Sequence, residues 1–158
     1  MAKGNKIVAA AEPLGRFLDV IVDGTPKPGT LMEITPATEP VNGRLHVRVF
    51  QRGTDGQRTP IMILCEDELQ GVAATVAYVD GYYGRVYYPA MGEEINILLK
   101  DVAGTADTHA IGEFLIHDSG TGLFIATTGS PQSEPFELIE TVTAPSADVL
   151  ACAIYTGH

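Results

Sequence analysis

The residues from Ile116 to Gly122 come closest to a known catalytic pattern. Asp118-Ser119-Gly120-Thr121 follows an apolar run, which is the local pattern of an aspartic-protease half-site. That chemistry needs two carboxylates that share a proton, so the chain would have to dimerise to supply the second one. The same residues also suit a hairpin turn, because Asp and Gly favour the backbone angles of tight turns. We expect a turn and keep a dimeric aspartic-type protease that uses Asp118 as an alternative.

The other polar clusters do not form a catalytic or metal-binding pattern. Glu66-Asp67-Glu68 and Glu93-Glu94 lack the alternating acids and central glycine of a calcium loop. The four histidines show no zinc-ligand spacing, and the serines lack the Gly-x-Ser-x-Gly elbow. We therefore predict no catalytic residue, no metal site, no cofactor and no enzymatic activity.

Charge and length limit the class of protein further. The 158 residues are enough for one domain with a real core. Twenty acidic residues against ten basic ones argue against a nucleic-acid partner, which requires clustered Lys and Arg. Cys65 and Cys152 lack a nearby second cysteine and are expected to be buried reduced thiols. The apolar part of the amino terminus is too short for a signal peptide, so we expect neither export nor a membrane.

A cluster of tyrosines predicts a contact surface. Five of the six tyrosines lie within eleven residues, and rigid amphipathic rings are common at interfaces. Strand alternation places Tyr83, Arg85 and Tyr87 on one face and Tyr82 and Tyr88 on the other. The candidate subunit or capsid contacts are Tyr82, Tyr83, Arg85, Tyr87 and Tyr88, although aromatic residues in strands also pack inside. Sugars stack on aromatic rings, so a carbohydrate-binding or adhesin-like β-module is a further alternative, weakened by the absence of tryptophan.

The elements that must position these residues are short strands. Seventeen glycines and ten prolines divide segments rich in Val, Ile, Tyr, Phe and Thr. The sequence predicts one compact, mainly β domain, a β-barrel or β-sandwich of β-tulip-like form, with at most one helical turn in 67–77 and no internal repeat. We predict strands at 17–22, 30–34, 44–51, 60–64, 74–79, 83–88, 94–99, 111–117, 122–127, 135–142 and 147–155.

Residues 1–15 differ from the rest of the chain. They are small, lightly basic and partly apolar, and Glu12-Pro13-Leu14-Gly15 separates them from the first strand. Such a segment is either a disordered tail or an arm that becomes ordered on a partner. Ile7, Val8 and Leu14 favour the arm, because a solvated tail does not need apolar side chains. We divide the chain into an arm, 1–15, and a β-rich domain, 16–158.

Six short motifs follow one another along the chain in an order that resembles the one in a known family. The motifs are Pro28-Gly29-Thr30-Leu31-Met32, Ile63-Leu64-Cys65-Glu66-Asp67, Ala77-Tyr78-Val79-Asp80-Gly81, Gly92-Glu93-Glu94-Ile95, Gly112-Glu113-Phe114-Leu115 and Gly122-Leu123-Phe124. Together they resemble the head decoration, or capsid cement, proteins of tailed bacteriophages over most of residues 16–158.

The resemblance implies a structural role on the outer capsid surface of the virion, after synthesis in the cytoplasm of a host bacterium. Proteins of this family bind the major capsid protein of an expanded capsid, usually as homotrimers at three-fold and quasi-three-fold positions, and so bridge neighbouring capsomers. Their amino-terminal arm often adds a strand to the capsid protein. Here the resemblance assigns that role to an arm that contains Lys3, Lys6, Ile7, Val8 and Leu14. It implies neither a nucleic-acid partner nor a membrane.

Overall fold

The computed structural model describes ten segments of the chain. They are residues 6–8, 13–36, 38–51, 61–67, 69, 71–100, 108–117, 121–127, 136–143 and 147–156. No helix in these segments is long and apolar enough to cross a membrane.

Ten strands form the described structure, and they divide evenly between the two halves of the chain. The first half contains β1 Arg16–Val22, β2 Leu31–Ile34, β3 His46–Val49, β4 Met62–Leu64 and β5 Tyr82–Tyr88. The second half contains β6 Glu94–Leu99, β7 Phe114–His117, β8 Phe124–Thr127, β9 Phe136–Leu138 and β10 Val149–Tyr155. The prediction of a mainly β chain is confirmed.

Each half closes into a five-stranded barrel. Around the first barrel the strand order is β1-β3-β2-β4-β5, and β5 returns to pair with β1. Around the second barrel the order is β6-β8-β7-β9-β10, and β10 returns to β6. In each barrel the first and third strands are parallel and the other pairs are antiparallel. The two barrels therefore share one topology, with β1 to β5 corresponding to β6 to β10.

The hydrogen-bond register of the two barrels is also the same. If Val22 with Val47 is matched to Leu99 with Phe124, the pairs of every other ladder match as well. The match can be followed around the barrel, from β1 through β5, β4 and β2 to β3, and it closes without a one-residue slip. A slip would exchange the inward and outward faces of a strand, so agreement in all five ladders is a strong constraint.

The turn before the second strand of each barrel repeats too. Gly29 and Gly112 have φ angles of 88° and 89°, which favour glycine, and each stands two residues before its strand. The Gly29 amide donates to the Leu64 carbonyl at 2.8 Å, and the Gly112 amide donates to the Leu138 carbonyl at 2.9 Å. The chain thus folds as two copies of one barrel. This repeat is not evident in the amino-acid sequence.

Two clusters of buried apolar side chains stabilise the barrels. One lies inside the first barrel and includes Val20, Met62 and Tyr78. The other fills the second barrel and extends between the barrels, where it takes in Leu31 and Ile63 from the outer face of the first. Because this cluster is continuous across both barrels, the two barrels form one compact unit.

Backbone hydrogen bonds join the barrels at two glycines. The Leu31 amide donates to the Gly122 carbonyl at 2.9 Å, and the Leu98 amide donates to the Gly29 carbonyl at 3.0 Å. A Cβ atom on Gly122 would lie 2.7 Å from the Leu31 carbonyl oxygen, and one on Gly29 would lie 2.8 Å from the Leu98 nitrogen. Glycine is therefore needed at both positions for the barrels to approach this closely.

We predict that Gly122→Ala lowers the free energy of unfolding by about 2–4 kcal/mol, because the new methyl group meets backbone at a positive φ. Gly43→Ala is the matched control, since Gly43 has a φ of 76° but no atom within 4 Å of the added Cβ. It should cost about 1 kcal/mol, the conformational part alone. Urea unfolding of both variants checks the difference, and equal losses would contradict the role of close packing.

One predicted element was wrong. Residues 74–79 form turns and irregular chain, although they were predicted as a strand. Tyr78 in this segment is buried, packs in the cluster inside the first barrel and donates its hydroxyl hydrogen to the Cys65 carbonyl at 2.9 Å.

The prediction of at most one helical turn in 67–77 agrees with the described residues, where Leu69 has 3-10 conformation. Asp67 pairs with Val72 as an isolated bridge. The sequence also predicts loops at 35–43, 52–59, 101–109 and 128–134, and of these residues 52–59, 101–107 and 128–134 lie outside the described residues.

Candidate binding face

Two adjacent strands of the first barrel present an aromatic and charged surface, which we name the β1–β5 face. It consists of Phe17, Asp19, Tyr83 and Arg85 from these strands and Arg44 from the turn before β3. Alternation points residues 17 and 19 outward from β1, while Val20 and Val22 are completely buried. On β5 the alternation directs residues 83 and 85 outward in the same way. The face therefore follows from strand periodicity on two paired strands.

Register brings opposite charges together on this face. Asp19 is directly opposite Arg85 in the β1–β5 ladder, and the Asp19 Oδ1 to Arg85 Nε distance is 3.1 Å. The Arg85 guanidinium carbon also lies 5.7 Å from the centre of the Phe17 ring. Both side chains of the ion pair are about half exposed, so the pair contributes little to stability.

Arg44 reaches the face from the neighbouring turn. Its guanidinium carbon lies 4.7 Å from the centre of the Tyr83 ring, within the range of a cation–π contact. A groove of about 510 Å³ separates this turn from β1, and its walls are Phe17, Leu18, Asp19, Asn42, Gly43, Arg44 and Arg85. The face thus combines aromatic rings, two arginines and a concave surface.

The five predicted contact residues on β5 divide into two groups. Tyr82 and Tyr83 are 50% and 43% exposed, and Arg85 is also exposed, so these three can reach a partner. Tyr87 is completely buried, and Tyr88 packs against the cluster inside the first barrel. Tyr87 is therefore a core residue in this conformation, and Tyr88 is partly buried. Alternation alone does not separate Tyr83 from Tyr87, because both point outward from the first barrel.

Tyr87 is buried because its outward side faces the second barrel and a hydrogen-bonded glutamate. Its hydroxyl group donates to Glu93 Oε1 at 2.5 Å and accepts from the Gly15 amide at 2.7 Å. Burial raises the pKa of Tyr87, and the bond to Glu93 raises it further, so the phenol stays protonated. These two hydrogen bonds join Gly15, the residue before β1, to Glu93, which lies between β5 and β6.

Glu93 is the centre of that contact. Only 5% exposed, it also accepts hydrogen bonds from the Leu14 amide at 2.7 Å and the Ala90 amide at 2.8 Å. Burial alone would raise the pKa of Glu93, but the bond from Tyr87 and the backbone amides outweigh it and lower the pKa below its ordinary value. Glu93 is thus an ionised structural group.

The predicted amino-terminal arm is described at residues 6–8 and 13–15, and both parts contact the barrels. Ile7 is completely buried in the cluster between the barrels, and Val8 packs against that cluster and pairs with Ile95 of β6. The Ile7 amide donates to Glu66 Oε2 at 3.0 Å. Ile7 is therefore a core residue in this conformation and is not exposed for a partner. Among the other predicted arm residues, Lys6 is exposed, Leu14 is 76% exposed, and Lys3 lies outside the described residues.

The remaining candidate groups are one residue outside the described part of the chain and several within it. Asp118 lies outside the described residues. In the part of the chain that the structure describes, no three His, Cys, Asp or Glu side chains could together hold a metal ion. His46 Nδ1 lies 2.8 Å from Asp23 Oδ1, a local pair beside β3. Cys65 and Cys152 are buried and form no disulfide bond, and burial raises the pKa of Cys65.

Comparison of the chain with protein-family models and with curated proteins gives no match. The site therefore rests on its own geometry. Sequence reasoning selected Tyr82, Tyr83 and Arg85 but missed Phe17 and Asp19, which complete the face. The signal was present, since Phe17 and Asp19 alternate with apolar residues in the same way as Tyr83 and Arg85 do. What was missing was the pairing of β1 with β5.

Proposed function

We propose that this chain is a structural protein of a tailed-bacteriophage virion, which binds the outside of the capsid and bridges capsomers. In this proposal the major capsid protein is the partner, and the chain acts as a homotrimer at three-fold and quasi-three-fold positions. The proposal combines the order of sequence motifs with the character of the surface. Its support from the structure is an exposed surface of aromatic and arginine side chains.

The observation that carries the proposal is the β1–β5 face. It exposes Phe17 and Tyr83 beside two arginines, and Tyr82 is half exposed at the start of β5. Exposed aromatic and arginine side chains are the residues that most often dominate binding energy at protein interfaces. In a chain with a formal charge of −10, this face is a place where an acidic partner is not repelled.

A carbohydrate-binding module would use the same tyrosines, and the contacts on the face distinguish the two functions. Stacking of a sugar needs an open ring face, and Arg44 covers one side of the Tyr83 ring at 4.7 Å. Tyr82 remains for stacking, but one ring gives little affinity. A glycan screen separates the possibilities, because hits that depend on Tyr82 would favour the carbohydrate function.

Binding to capsids tests the proposal directly. Purified protein is mixed with expanded capsids that lack it, and bound protein and the temperature of capsid disruption are measured. We expect saturable binding and a higher disruption temperature. Tyr83→Ala combined with Arg85→Glu should weaken binding at least about tenfold, while Ile111→Ser, a change of an exposed apolar residue on the second barrel, should bind as wild type does. Absence of binding, or binding without any gain in heat resistance, would contradict the proposal.

A further inference from the structure

Because the two barrels have the same register, the strand edge on β6 of the second barrel can be compared with the corresponding edge on β1 of the first. On the second barrel, residues 6–8 lie along the edge of β6 that faces β8. The Asn96 amide donates to the Ile7 carbonyl at 2.9 Å, and Val8 forms an antiparallel bridge with Ile95. β8 pairs with β6 only at Leu99, and residues 6–8 pair with the same edge of β6 at Ile95 and Asn96.

The register gives the corresponding positions on the first barrel. Ile95 corresponds to Leu18 and Asn96 corresponds to Asp19, because Leu99 corresponds to Val22. On β1 the paired strand also ends early, since β3 pairs with β1 only at Ile21 and Val22. At both edges the paired strand ends before these positions, and among the described segments it is the β6 edge that another part of the chain occupies there.

The backbone of β1 points hydrogen-bonding groups into this open edge. The Ile21 amide donates to the Leu45 carbonyl at 2.9 Å and the Asp23 amide to the Val47 carbonyl at 2.8 Å, so odd-numbered amides face β3. By alternation, the Asp19 amide faces the same side. Within the described segments no group accepts a hydrogen bond from this amide. An exposed strand edge of this kind is a template for another strand.

The groove of the β1–β5 face is the space next to this edge. Phe17, Leu18 and Asp19 form one wall and the turn at 42–44 forms the other. Because a turn stands opposite the strand, the groove suits a single extended segment and not the edge of a second barrel. The mode of binding on β6 is the same, since one short segment fills the edge there.

The charges of the groove indicate the chemistry of its occupant. Its walls carry two arginines, Arg44 and Arg85, and one acid, Asp19, which is already paired with Arg85. Leu18 is partly buried against the cluster inside the first barrel and also lines the groove, so it offers an apolar contact there; its counterpart Ile95 forms the backbone bridge with Val8 on the other barrel. An extended segment with alternating acidic and apolar side chains matches both features.

We propose that the β1 edge binds an extended acidic segment of a partner protein by strand addition, with a carbonyl of that segment accepting from the Asp19 amide. Leu18 contacts an apolar side chain of the segment, and Arg44 and Arg85 contact its carboxylates. The proposal goes beyond attachment to a capsid, because it applies to any protein partner with such a segment.

The probe for this site is the peptide acetyl-Glu-Val-Glu-Val-Glu-amide, with acetyl-Lys-Val-Lys-Val-Lys-amide as its charge control. Titration into the ¹⁵N-labelled full chain should shift the amide resonances of Phe17 and Asp19 most, and only with the acidic peptide. No binding of the acidic peptide at millimolar concentration, or shifts centred elsewhere, would overturn the proposal. Failure here leaves the capsid experiment unaffected, since that experiment measures attachment by any surface.

Variants at the edge separate strand addition from simple charge attraction. Asp19→Pro removes the amide that points into the groove, and proline is tolerated at strand edges where the amide is unpaired. It should weaken binding of the acidic peptide about tenfold, whereas Asp19→Ala, which keeps the amide, should bind the peptide at least as well as wild type does. Equal binding by both variants would overturn the proposal.

A third variant keeps the test decisive if Asp19→Pro disturbs the fold. Arg44 lies on the turn across the groove. Arg44→Glu should weaken binding of the acidic peptide about tenfold and strengthen binding of the lysine peptide. Unchanged preference would overturn the proposal. So would sedimentation showing that the free chain self-associates with the Phe17 and Asp19 amides protected from exchange, because a second copy would then occupy the edge.

Discussion

Replacement of Glu93 by alanine is expected to lower the free energy of unfolding by about 3–5 kcal/mol at neutral pH. The carboxylate accepts from the Tyr87 hydroxyl and from the Leu14 and Ala90 amides, and all three donors lose their acceptor. Because Glu93 is only 5% exposed, water cannot easily replace the lost bonds. Urea unfolding followed by circular dichroism measures the loss.

Tyr87→Phe is the matched control, because it removes one of the bonds to Glu93, together with the bond from the Gly15 amide, and keeps the carboxylate and the ring. It should cost about 1–2 kcal/mol. If Glu93→Ala cost no more than Tyr87→Phe, the backbone donors would not depend on Glu93, and its role at the entry to β1 would be contradicted.

The same group gives the protein a defined response to acid. The folded-state pKa of Glu93 lies below its unfolded value, so its ionised form stabilises the folded chain at pH values above about 4.3. That contribution is lost as the pH falls through the folded-state pKa. Stability should therefore decrease less steeply on acidification in Glu93→Gln than in wild type. Parallel slopes below pH 4.3 would contradict this assignment.

Ile7→Ala is expected to lower the free energy of unfolding by about 2–5 kcal/mol. Ile7 is completely buried in the cluster that joins the two barrels, so its truncation leaves a cavity among residues of both. Val8→Ala is the control, because Val8 only packs on the edge of that cluster and should cost less. Thermal unfolding of the two variants measures the difference.

This expectation changes the role of the amino-terminal segment. The sequence interpretation treated residues 1–15 as an arm separate from the β-rich domain. If Ile7→Ala were as stable as wild type, that earlier interpretation would be correct and the packing of residues 6–8 would not matter for folding. If it is strongly destabilised, the segment belongs to the core.

The strands could be predicted because their causes are local. Alternation in β3 and in β6 and glycine before most turns are visible in the sequence, and the strands formed there. Tyr78 shows the limit, because an apolar pattern marks it as buried but does not tell a strand from a loop that fills a barrel. Tyr87 shows another limit, since period two predicts which side a residue faces but not what covers that side.

The repeat of the barrel was beyond sequence inspection for a different reason. Register and topology depend on which side chains are apolar, and many residues satisfy that condition. Leu18 corresponds to Ile95 and Val47 to Phe124, so the positions share character without sharing identity. In the strands of the first barrel, only Leu64 with Leu138 and Tyr88 with Tyr155 are identical at matched positions. The β1–β5 face was missed in part for the same reason, because it is created by pairing between strands distant in sequence.

We propose that this chain is a component of the outer capsid surface. Mass spectrometry of tailed-phage virions purified from a culture that expresses the chain, with quantification against the major capsid protein, tests this proposal most directly. We expect the chain to be an abundant virion protein, which a protease added to intact particles can reach. Its absence from purified virions, or its presence only in traces that washing removes, would contradict the proposal.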